Sequence, residues 1–144
     1  MLHKEKISVK WSIFILALVG FCLYFNSLGN GFVWDDRYLI EDNEFIRSFT
    51  HLKGMFTHHL FYFSHLALLH YYRPIQTLSY AVDYQIWKLN PLGYHLTGVL
   101  LHILNAILIF YLAVLVFRKK RLAFLAGLIF LSNPLHNAAV AYVA

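Results

Sequence analysis

Charge is what this chain has least of. Asp, Glu, Lys and Arg make up 13% of its 144 residues, about half their share in ordinary globular domains. Too few charges remain to solvate the surface of a free soluble domain when 60% of the residues are hydrophobic. Cysteine is nearly absent as well. Cys22 is the single one and lies inside an apolar run, so no intramolecular disulfide is possible. No internal repeat is visible, and no low-complexity tract interrupts the chain.

Long apolar runs and aromatics fill the place of charge. Phe, Trp and Tyr reach 18%, as expected where Tyr and Trp sit at bilayer interfaces. The net charge of +5 does not mark a nucleic-acid binder. Seven of its twelve Lys and Arg gather at Lys4, Lys6 and Lys10 and again at Arg118-Lys119-Lys120-Arg121, each cluster abutting an apolar run, which is how topology determinants are arranged.

Three runs are long enough for spans of about 20 residues. They are 11–28, 94–117 and 122–144, the last interrupted by Pro134. The first follows basic residues, as a signal peptide does, but "YFNSL" offers no small-x-small cleavage site, so it reads as an uncleaved anchor. Basic residues favour the cytoplasmic side. That puts residues 1–10 and the turn 118–121 inside, and the loop 29–93 in the periplasm, lumen or extracellular space. The expected protein is therefore an all-α, multi-pass membrane protein. Its external loop carries segments with helical spacing, including one after Pro74 in which Ile75, Leu78, Val82 and Ile86 share a face. Such helices lie along the membrane surface or pack on the spans. The ending "NPLHNAAVAYVA" carries no cap or basic flank, and the chain reads as a fragment of a longer polytopic protein, with the third helix cut short.

Several polar residues stand out against this background. Asp35 and Asp36 follow the first span directly. Adjacent side chains diverge on a helix or strand, so the pair is not expected to share a proton. Spacing alone favours a helix cap in "DRYLIEDNEF" over an active-site acid. Arg73, in "HYYRP", offers a guanidinium fork suited to phosphate oxygens, or else snorkels at the interface. His95, Gly98, His102 and Asn105 form a polar stripe on the second span, which would glue helices together; His95 lies nearest the outer surface. His136 sits beside the break at Pro134, where an ionisable group within a span points to function or to packing. The loop histidines His51, His58, His59, His65 and His70 lack the tight spacing of a zinc motif.

These pieces in this order carry a resemblance. "YFNSLGNGFVWDDRYLIEDNEFI", then "YYRPIQTLSYAVDYQIWKLNPLGYHLTGVLLHILNAILIF", then "NPLHNAAVAYVA" resemble the start of the membrane O-mannosyltransferases that carry tetratricopeptide repeats, and their bacterial relatives, within the GT-C class of glycosyltransferases. The resemblance covers roughly residues 20–144. It implies a polytopic α-helical enzyme that moves a mannose-like sugar from a polyprenyl-phosphate donor to a hydroxyl on a protein or glycan acceptor, by inversion, on the outer or lumenal face. The class hallmark, an acid just after span one, falls on Asp35 with Asp36 beside it. The "YRP" match carries over Tyr72, Arg73 and Pro74, and the third-span motif carries over His136. That motif usually reads His-Pro-x-His-x-Glu-Ala-Val; here Asn133 and Ala138 stand in place of its first His and its Glu.

The implied roles are Asp35 or Asp36 as the base, Arg73 and His136 as donor-phosphate contacts, and Tyr72 and His95 in support. Besides donor and acceptor, the only expected partner is membrane lipid; nucleic acid is not expected. No cofactor is called for, and a divalent metal is left open. Three spans are not expected to enclose a complete catalytic cavity, so the 144 residues are expected to be inactive alone. The competing expectation is a non-catalytic membrane protein, or a truncated packing subunit, that shares this fold start.

Overall fold

The computed structural model describes residues 8–60, 62 and 71–143, and among them every regular element is helical. Lys4, Lys6, His65 and His70 lie outside the described residues. The chain divides into two compact units: Met1–Ser27 with Gly98–Ala141, and Leu28–Thr97 with Tyr142–Ala144.

The first unit is built from apolar helices. α1 (Val9–Tyr24) runs on as a tighter turn over Phe25–Gly29. α4 (Pro91–Phe117) has Pro at its first position, where a missing N–H costs nothing, and the Asn90 side chain caps it by accepting the Leu92 N–H at 3.2 Å. It ends where Arg118 turns left-handed (φ 54°) and donates its N–H to the Val114 carbonyl. α5 (Lys120–Ser132) follows almost at once. Among the described residues two helices, Val9–Gly29 and Pro91–Phe117, are long and apolar enough to cross a membrane, and a third span results if the bent pair Lys120–Ser132 and Pro134–Ala141 is one. The chain is an integral membrane protein.

The bend between that pair is 48°, and its cause is local. Pro134 has no N–H to continue the ladder and holds Asn133 extended (φ −70°, ψ 117°). The polar groups released there find partners. The Asn133 side chain accepts the Leu135 N–H at 3.1 Å, and the Tyr24 hydroxyl donates to the Leu131 carbonyl at 3.3 Å. A short turn over Pro134–His136 and α6 (Asn137–Ala141) complete the unit.

Small residues let these helices approach. A Cβ on Gly20 would stand 2.6 Å from an Ile103 side-chain carbon, and one on Gly127 3.1 Å from Leu16. Leu16, Ala106, Phe110, Ala113, Ala123 and Leu131 form the core. Asn105 departs from the expected polar stripe. His102 is buried among rings, but Asn105 is exposed. At about 100° per residue, three further positions set Asn105 about 60° round the helix from His102, at the edge of the same face and outside the packing that covers His102.

The second unit has its own core of Leu39, Ile40, Ile46, Met55, Leu60, Tyr80, Ala81 and Tyr94. Short turns over Arg37–Glu41, Glu44–Arg47 and Phe49–His51 and the brief α2 (Leu52–Met55) pack around α3 (Pro74–Trp87). α3 buries Thr77, Tyr80, Ala81 and Asp83. Of its apolar stripe, Leu78 packs against the core, whereas Ile75, Val82 and Ile86 remain exposed. The helix closes at Lys88, a non-glycine residue in the left-handed region (φ 55°) whose N–H returns to the Tyr84 carbonyl.

Candidate active site

The segment after the first span makes a sharp turn that separates its two aspartates. Trp34 takes a left-handed conformation (φ 52°), uncommon for any side chain larger than Asn. The chain then closes on itself: the Asp36 N–H donates to the Val33 carbonyl, and the Val33 N–H donates to Asp36 Oδ2, both at 3.0 Å. This reciprocal pair works as a capping box does, with the acid reaching back to an otherwise orphan N–H. A turn of π type over Arg37–Glu41 follows, closed by the Asp42 N–H on the Arg37 carbonyl. Such turns gather at functional sites.

Asp36 is thereby 1% exposed and committed to its own turn. Asp35 is exposed, and among the described residues its carboxylate has no hydrogen bond or salt bridge. Both border one cavity of about 230 Å³, lined among the described residues by Val33, Trp34, Asp35, Asp36 and Tyr142. The sequence offered the cap role to Asp35; here it is the Asp36 carboxylate that accepts the Val33 N–H, and Asp35 makes no such bond among the described residues.

Tyr142 reaches this wall from the far end of the chain, held by α3. The buried Tyr80 hydroxyl donates to the Val143 carbonyl at 3.1 Å and accepts from the Gln76 amide. Gln76 in turn accepts from the Arg73 guanidinium at 3.3 Å. Burial pushes the Tyr80 hydroxyl up to about 12; the charges of Asp36 and Asp83 add to the rise, while the Gln76 bond and the Arg73 charge oppose it. Tyr80 therefore stays a protonated donor at neutral pH. Burial also raises the carboxyl of Asp83, partly offset by the Thr97 hydroxyl that donates to it at 2.7 Å.

The other predicted residues fall in several places. Arg73 is exposed, lies 5.5 Å from the centre of the Tyr71 ring, and is not among the residues lining the cavity. Tyr72 donates its hydroxyl to the Phe56 carbonyl at 2.7 Å, which fixes the backbone next to Arg73. His95 is 1% exposed, and neither ring nitrogen has a hydrogen-bond partner among the described residues. Leaving such a group unpaired costs about 1–3 kcal/mol.

His136 belongs to the first unit. Its ring lies 4.6 Å from Phe130 and 5.6 Å from His102, in a cluster that also contains Tyr24. A separate hollow is lined by Asp42, Glu44, Phe45 and His51. Among the described residues no three of His, Cys, Asp and Glu stand together as metal ligands. Sequence reasoning missed Trp34, Tyr80, Asp83 and Tyr142. Trp34 adjoins the acid pair and was within reach of it; nothing in the sequence links Tyr142 to Asp35.

Helices long and apolar enough to cross a membrane fit the membrane O-mannosyltransferases that the motif order suggested, and comparison with known proteins agrees. The chain is 33% identical over 140 residues to protein O-mannosyl-transferase TMTC3 of Mus musculus, matching 93% of this chain. It is 33% identical over 134 residues to protein O-mannosyl-transferase TMTC2 of Homo sapiens, matching 88%. It is 32% identical over 131 residues to protein O-mannosyl-transferase Tmtc1 of Drosophila melanogaster, matching 87%. The chain is thus similar to part of these protein O-mannosyl-transferases and spans 15% of the length of each of the three. No family model matches it, and no solved structure does.

Proposed function

We propose that this chain forms the first part of a membrane glycosyltransferase of GT-C type. It transfers a mannose-like sugar from a polyprenyl-phosphate donor to a hydroxyl of a protein or glycan, at the external or lumenal face. The observation that carries this proposal is Asp35: a carboxylate exposed in a small cavity with no hydrogen bond or ion pair among the described residues, next to an acid held in its own turn. The names of the relatives support the transferred group.

Chemistry assigns the roles. An acceptor hydroxyl is a weak nucleophile, and Asp35 takes its proton as the bond to the sugar forms. Attack from the face opposite the departing phosphate inverts the anomeric carbon. The lipid phosphate leaves as an anion that needs charge stabilisation but no protonation. Arg73 supplies that charge with a fork suited to phosphate oxygens, and His136 is the second candidate for it. Tyr72 holds the backbone next to Arg73, and His95 supports the same unit. Asp36 keeps the turn that presents Asp35.

Asp35→Asn in the full-length protein is expected to lower transfer at least about a hundredfold, the usual minimum for losing a general base, with insertion and abundance unchanged. Normal turnover would sink the assignment of the base. Donors are compared in the same assay: transfer from a nucleotide sugar but not from a polyprenyl-phosphate sugar would remove the proposed donor class.

A further inference from the structure

The cavity at Asp35 has two aromatic walls that the proposed proton transfer does not use. Trp34 is 83% exposed, an unusual state for so large an apolar side chain, and its backbone is left-handed (φ 52°). Positions in that region are costly and persist where the surroundings fix them. Tyr142, half exposed, lines the same cavity. The adjoining Val143 packs against the core of the second unit, and its carbonyl is held by the Tyr80 hydroxyl. Both aromatics are thus held by the fold while their rings remain available.

The volume narrows the choice of ligand. At about 230 Å³, the cavity falls below the roughly 300 Å³ at which pockets for drug-sized ligands begin. It suits one small ring rather than a peptide or a polyprenyl chain. Flat aromatic surfaces beside an unpaired carboxylate match a pyranose, whose axial and ring C–H bonds form an apolar patch and whose hydroxyls donate hydrogen bonds. The C–H groups meet the electron-rich ring faces, and the hydroxyls meet Asp35.

We infer that Trp34 and Tyr142 form the aromatic walls of a sugar subsite that seats a single pyranose ring against Asp35. This rests on the glycosyl-transfer function proposed above and identifies the residues that hold the transferred sugar. Trp34 and Tyr142 contribute binding, whereas Asp35 contributes the chemical step.

The test uses the full-length protein in lipid nanodiscs with polyprenyl-phosphate mannose as donor. Trp34→Ala is expected to raise the donor KM about tenfold, equivalent to about 1.4 kcal/mol, with kcat within about threefold. Trp34→Phe recovers most of the loss, and Tyr142→Ala acts in the same direction. In a variant whose every other Trp, Trp11 and Trp87 included, is replaced by Phe, methyl α-mannopyranoside shields the Trp34 fluorescence from acrylamide. If Asp35→Asn is inactive while Trp34→Ala leaves KM unchanged or lowers kcat alone, the subsite is overturned and the transferase assignment stands. If Asp35→Asn turns over normally, the base assignment falls; the fluorescence experiment then decides the subsite alone, and absence of shielding overturns it. Quenching of Trp34 by brominated lipid as strongly as of Trp11, read in a matching variant that keeps Trp11 in place of Trp34, would make it a membrane anchor and also overturn the subsite.

Discussion

At the scale of single residues, two aspartates in the second unit show how little residue type says about role. Asp36 and Asp83 are both nearly buried. Asp36 accepts a backbone N–H at the turn that presents Asp35, and Asp83 accepts a hydroxyl from Thr97. Burial raises the carboxyl of Asp83 despite that bond, which gives its linkage a definite sign. A folded-state value above the unfolded one, about 3.9, means that the folded state holds the proton more tightly. The resulting stabilisation is complete below the unfolded value and is lost as pH rises through the folded one. Above its folded-state value the chain therefore carries a buried carboxylate at a cost. Asp83→Asn keeps an acceptor for Thr97 and removes the charge. Its melting temperature in detergent should exceed that of the unsubstituted protein at pH 7, and the loss of stability from about pH 4 upward should flatten. A variant that melts lower at pH 7, with the same pH slope, would contradict this account.

At the scale of elements, what was legible in the sequence follows from period and punctuation. Apolar runs announced α1 and α4 because a helix in lipid must satisfy its own backbone. Pro74 and Pro91 stand at first helical positions, as their missing N–H requires. The break at Pro134 was visible too, although its 48° bend and the Tyr24 hydroxyl on the Leu131 carbonyl were not. That contact joins residues more than a hundred positions apart, and no local pattern encodes it. The candidate site divides in the same way. Asp35 and Asp36 could be picked out by their place after the first span, but which one is free depends on the left-handed turn at Trp34. The approach of α1 to its neighbours was also hidden, because a lone glycine in an apolar run has many explanations. In the structure Gly20 meets Ile103 and Leu131 directly. Gly20→Leu should therefore overpack the first unit and cost about 1–3 kcal/mol, measured as a lower denaturation midpoint in detergent. Unchanged stability would show that α1 does not pack there as closely as the coordinates place it.

At the scale of the whole molecule, sidedness decides whether Asp35 can meet a donor and acceptor on the outer face. Lys and Arg resist translocation, and here they flank the first span at Lys10 and fill the turn before α5 with Arg118, Lys119, Lys120 and Arg121. Each cluster is separated from the loop 29–93 by one apolar helix, so the two act in the same direction rather than competing. We expect the loop outside and the basic turn inside. Cys22, the single native cysteine, makes the measurement direct. In a Cys22→Ser background, Thr50→Cys on the exposed part of the loop should react with an impermeant maleimide in intact cells. Lys119→Cys should react only after permeabilisation. Replacing Arg118, Lys120 and Arg121 with Gln should then produce a fraction of molecules in which Thr50→Cys is protected, since the remaining bias rests on the N-terminal cluster alone. Labelling of Lys119→Cys in intact cells would place the acid pair on the cytoplasmic face, where an external or lumenal transfer reaction has no access to it.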